Sequence, residues 1–171
     1  MGEKKFILAK LAPILVVGGL AVFAWAFSTG IMTNELLVQG AIAGLMGAFA
    51  MTVGMMIVAE IKPMGIVVPQ VVASNIGLES VWTGVHFGTG ASFALGYIII
   101  SGILNVPLSI LGAVVFAVLG PEMFLGLVIL PDNGMGLFGK DKNPMLPMMT
   151  LIMHIIFGTV MGATLLYLGR T

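Results

Sequence analysis

LAPILVVGGLAVFAWAF, residues 11–27, carries no charge and almost no polar atom. Seventeen such residues approach the roughly 20 that an α-helix needs to cross a ~30 Å hydrocarbon layer at 1.5 Å per residue. Reading outward, the pattern repeats: stretches of the same character fill about residues 36–59, 80–101, 108–130 and 148–168. Hydrophobic residues make up 59% of the 171-residue chain and charged ones 8%, a composition that water does not keep monomeric. The expected fold is an all-α integral membrane protein of about five spans, a single membrane domain with no room for a soluble one.

Lys4 and Lys5 before this stretch, with Ala24-Trp25-Ala26 near its end, also fit a cleavable signal peptide, but a retained membrane anchor is the better reading. The Met1-Gly2 start fails as a myristoylation signal because Phe6 stands where Ser or Thr is needed. Seven Lys and Arg balance seven Asp and Glu, so no basic patch points to nucleic acid. With no Cys, disulfides, thiolate-held zinc and iron–sulfur clusters are excluded. HExxH, EF-hand, P-loop and paired-carboxylate signatures are absent, so an enzyme is not the expectation.

Between the spans, Thr33-Asn34-Glu35 reads as a helix start with Thr33 or Asn34 as N-cap. The connection 61–79 contains an apolar piece, 68–76, too short to cross and suited to lying at the interface or dipping in. Positive charge orients the whole. With the N-terminus inside, Lys4, Lys5, Lys10, Lys62, Lys140 and Lys142 are cytoplasmic and only Arg170 is outside. The expectation is therefore a multi-pass protein of the cell membrane, N-terminus in and C-terminus out.

Phe87-Gly88-Thr89 recurs as Phe157-Gly158-Thr159, and at the same offset Leu95 and Tyr97 match Leu165 and Tyr167. Two spans return the chain to its starting side, so the repeat implies two parallel helical hairpins plus an N-terminal helix. Helices in lipid associate through close packing and polar contacts. Small residues at four-residue spacing (Gly84, Gly88, Ser92 and Gly96; Gly158 and Gly162) are the expected packing seams.

Three ionisable side chains fall well inside the spans: His86, Glu122 and His154. Counted at 1.5 Å per residue they lie about 9, 12 and 9 Å deep, in one layer on three helices. Groups at that depth face the interior and find partners. Three readings follow: hydrogen-bonded interior glue, a metal site of His86, His154 and Glu122, or haem b between His86 and His154. Methionines four apart (Met145 and Met149, Met149 and Met153, Met51 and Met55) invite a copper reading, with Met145, Met148 and Met149 near the loop the best placed. Met as a flexible filler beside glycine-rich faces is the stronger reading.

Several stretches together resemble a family of small prokaryotic integral membrane proteins of unknown function. They are Ala43-Gly44 through Ala50-Met51-Thr52; Val85-His86-Phe87; Leu130-Pro131-x-x-Gly134-x-Gly136-Leu137-Phe138-Gly139; and His154 through Phe157-Gly158 and Gly162. The resemblance covers about residues 40–168 and implies a four-helix unit with a His opening its second and fourth helices. The N-terminal span and Asp132-Asn133 depart from the pattern, and no activity or cofactor is implied. The leading functional expectation is a non-catalytic subunit or assembly partner of a larger membrane complex, such as a respiratory oxidase or membrane monooxygenase. It rests on short loops, few ionisable groups and glycine seams able to dock other subunits or a second copy. The alternatives are a haem- or metal-binding redox protein using His86 and His154, and a small transporter built on the repeat and the Pro-interrupted fourth span.

Overall fold

The structure is a computed structural model that describes residues 5–61 and 79–169, with side chains from 17 to 58 and from 80 to 169. The apolar piece 68–76 and the side chains of Lys4, Lys5, Lys10, Lys62 and Arg170 lie outside these described residues. Five helices make the architecture. They are α1 (Lys5–Ser28), α2 (Asn34–Ile61), α3 (Trp82–Leu104), α4 (Ile110–Asp132) and α5 (Leu146–Leu168). In α2 to α5, stretches of 23 to 25 residues are apolar and long enough to span a bilayer. The chain is an all-α, multi-pass membrane protein of about five helices.

Local chemistry sets the helix ends. The Leu36 amide donates to Thr33 Oγ1 at 3.2 Å, so Thr33 is the N-cap of α2. Ser109 caps α4 in the same way, accepting from the Gly112 amide at 3.0 Å. The α3–α4 turn is clamped by Tyr97, whose hydroxyl donates to the Ser109 carbonyl and accepts from the Ser109 amide, both at 3.0 Å. Helix α4 is not uniform. Its α-helical start, Ile110–Ala117, is followed by two π-helical stretches, Val118–Glu122 and Leu125–Ile129. Pro121 lies in the first, where its missing N–H and its ring are incompatible with a regular ladder.

The helices α2 to α5 form a bundle in which α2 is central. One face of α2 meets α3: a Cβ on Gly44 would collide with the Gly90 carbonyl oxygen and stand 2.6 Å from Ala91 Cα. The other meets α5, where Gly47 lies under Phe157 and Gly54 under Met153. Helix α5 in turn crosses α4 at Gly158, whose Cβ position is 2.7 Å from Val114 Cα, and at Gly162, 2.8 Å from Ile110 Cα. The described part of α1 is peripheral, with Val17, Leu20, Val22 and Trp25 exposed and Ala26 buried.

One expected seam is corrected. Gly84 and Gly88 meet nothing within 4 Å in the described chain, Ser92 is exposed, and Gly96 makes only an ordinary 3.5 Å contact with Phe116. The buried face of α3 is Gly90, Ala94, Tyr97, Ile98 and Ser101. Gly88 stands two residues before Gly90, hence about 160° away around a helix turning 100° per residue. The run of small residues is real, but it looks out from the bundle.

The repeat takes a new register for the same reason. Aligning buried positions, His86, Gly90, Ala94 and Tyr97 of α3 match His154, Gly158, Gly162 and Leu165 of α5, an offset of 68 residues (86 to 154). The Phe-Gly-Thr match would pair exposed Gly88 with buried Gly158. On the first helices, buried Ala43, Gly47 and Met51 of α2 match Ala113, Ala117 and Pro121 of α4. That places Thr52 opposite Glu122. A true two-fold would make the α3–α4 seam a copy of the tight α2–α5 seam. Instead α3 and α4 meet chiefly near the Tyr97–Phe116 ring pair, centroids 5.7 Å apart, and diverge beyond it.

Candidate functional site

Where α3 and α4 part, a cavity of about 140 Å³ opens in the bundle. All four helices line it: Met51 from α2, His86 and Thr89 from α3, Pro121 and Leu125 from α4, His154 and Phe157 from α5. Its size is that of the ~150 Å³ engineered cavities that admit one benzene-sized guest.

Each hairpin supplies one histidine and fixes it with a polar group from its own first helix. In the α2–α3 hairpin, His86 Nε2 lies 3.1 Å from Thr52 Oγ1. The Thr52 hydroxyl has one proton, which goes to the Ala48 carbonyl at 2.8 Å. His86 Nε2–H is therefore the donor to Thr52, and in the neutral ring Nδ1 keeps its lone pair. In the α4–α5 hairpin, His154 Nδ1 lies 2.9 Å from the Thr150 carbonyl and 2.8 Å from Glu122 Oε2. A carbonyl only accepts, so Nδ1 carries the proton and Nε2 the lone pair.

Glu122 is almost fully buried, 1% exposed, and so depends on these neighbours. Its Oε1 accepts from Thr150 Oγ1 at 2.8 Å. Its Oε2 has only the electrostatic proximity of His154 Nδ1, because the ring N–H is aligned on the Thr150 carbonyl and not on the carboxylate. Carboxylate and imidazole attract, but the hydrogen bond between them is unfinished.

The sequence placed His86, Glu122 and His154 in one layer, and the fold brings Glu122 against His154 and both histidines onto one cavity. Among the described residues, no three His, Asp or Glu side chains gather closely enough to hold a metal ion. The partners Thr52 and Thr150 were not legible as site residues, whereas Met51 was visible as one of several methionines at four-residue spacing. Thr150 had a signal, standing one turn before His154 on the same helix face. Thr52 had none, because its position opposite His86 depends on the α2–α3 crossing at Gly44 and Gly90.

The remaining polar group on the cavity, Thr89, donates its hydroxyl proton to the Val85 carbonyl at 2.7 Å. Among the described residues, the polar side chains on the cavity are therefore His86, Thr89 and His154, with the Met51 side chain beside them. Comparison with protein-family models, with curated proteins and with solved structures finds no match.

Proposed function

We propose that this protein is a membrane-embedded binding unit that takes one small cation or hydrogen-bond donor between His86 and His154. The observation that carries this reading is one cavity lined by two histidines, each held through one ring nitrogen so that the other is unused by those bonds. Ionisable groups are costly at membrane depth and tend to mark functional positions. The π-helical stretches beside Glu122 belong to the same pattern, since such widenings recur at functional sites. The test is elemental analysis and mass spectrometry of protein purified gently from its native membrane. One non-protein component per chain, lost in both His86→Ala and His154→Ala, supports the reading. A folded preparation that carries none, and binds none when offered metals or amines, overturns it.

A second reading, an accessory subunit of a larger membrane complex, is favoured by a different observation. The face of α3 bearing Gly84, Gly88 and Ser92 has open space against it in this chain and suits close approach by another helix. Large subunits that co-purify in native-lipid extraction, and are lost in Gly88→Leu, would support that role. The proposed orientation, N-terminus inside the cell membrane, is supported by the clustering of lysines at one end of the spans. Because α2 and α5 run antiparallel, with Gln39 Nε2 donating to the Leu168 carbonyl at 3.3 Å, the loop 133–145 with Lys140 and Lys142 is then cytoplasmic.

A further inference from the structure

The geometry points to a copper(I) site, with His86 Nδ1, His154 Nε2 and the Met51 thioether as ligands; this deepens the binding-unit reading and rests on it. Three features select this ion. First, the donor set is soft. Imidazole alone serves zinc, iron, nickel and copper, but a thioether on the same small cavity shifts preference toward Cu(I). Second, the wall is uncharged: among the described residues no Lys, Arg, Asp or Glu lines the cavity, and a monovalent ion costs less to desolvate there than a divalent one.

Third, the carboxylate behind the histidine is the arrangement that orients metal-binding imidazoles. The ring N–H engages a carboxylate or a carbonyl, and the opposite nitrogen is presented to the metal. His86 is held likewise by Thr52. The rest of the wall, with Val85, Phe93, Leu125 and Phe157, is apolar and suits an ion that needs few ligands and little water.

The experiment is anaerobic titration of the metal-free protein in lipid nanodiscs with Cu(I) against bicinchoninate, with Zn(II) in parallel, followed by X-ray absorption of the loaded sample. One Cu(I) per chain is expected, with nitrogen and one sulfur scatterer. Met51→Leu conserves volume, so it should keep the fold, lose the sulfur signal and weaken binding. Glu122→Gln should weaken binding about 10–100-fold, the usual effect of removing an orienting partner. Either His→Ala variant should abolish stoichiometric binding. Absence of Cu(I) binding, or a sulfur signal unchanged in Met51→Leu, overturns the copper assignment even where the histidine variants fold poorly. Zn(II) binding that depends on both histidines, without Cu(I) binding, overturns copper yet upholds the binding site. No metal bound, from a native preparation equally empty, defeats both.

Discussion

Glu122 shows how few partners a buried carboxyl group can have. It is nearly inaccessible, and its stabilising neighbours are one hydroxyl and one imidazole. Replacing Thr150 by Val keeps the shape and removes the only aligned hydrogen bond to the carboxylate. The expected cost is roughly 1–2 kcal/mol, near the upper range for a polar contact between membrane helices. His154→Leu should cost more than Glu122→Met, because the first strips a buried carboxyl group of its imidazole neighbour while the second removes the buried polar group altogether. Thermal unfolding in a mild detergent ranks the three variants, and a reversed order for the last two would contradict the pairing. Glu122 and His154 were visible in the sequence as intruders among apolar residues. That they touch was not, because the contact needs α4 and α5 to cross at Val114 and Gly158.

Elements pack where backbone meets backbone. Gly44 and Gly90 are the α2–α3 crossing, and leucine at either would force the helices apart. A loss of at least about 2 kcal/mol is expected for Gly44→Leu or Gly90→Leu, as for overpacking in a close-packed interior. Gly84→Leu and Gly88→Leu should leave the melting temperature of the isolated chain unchanged. Equal destabilisation by Gly88→Leu and Gly90→Leu would mean that the exposed face is packed in the purified state. A second element-scale device is the loop after α4. Phe138 sits in the left-handed region (φ 54°), a conformation that costs a bulky residue about 1–2 kcal/mol. Its ring occupies the place where Gly126, inside the second π stretch, lacks a side chain. Gly126→Val should expel that ring and lower thermal stability, a change checked by melting the variant alone and combined with Phe138→Ala.

At the scale of the molecule, two similar hairpins are joined with one seam closed and the other open. Closure runs through Gly47 and Gly54 of α2 against α5; the opening between α3 and α4 is the cavity. The native chain has no Cys, so single-cysteine labelling reads its topology cleanly. Lys140→Cys should react with impermeant maleimide only in inverted vesicles, and Asn105→Cys only in intact cells. The opposite result would invert the proposed orientation while leaving the bundle as described.

Sequence alone determined the solvent, the helical class, the approximate spans and a helix start at Thr33 or Asn34, because each follows from local composition and capping chemistry. It also singled out His86, Glu122 and His154, since charge inside an apolar run stands out without any knowledge of neighbours. Only the tertiary structure decided which face of α3 is buried, the 68-residue offset between α3 and α5, and the meeting of both histidines on one cavity. The physical reason is that every face of these helices is apolar or small. In lipid no hydrophobic contrast marks the inner side, and the choice falls to which glycines allow two backbones to touch.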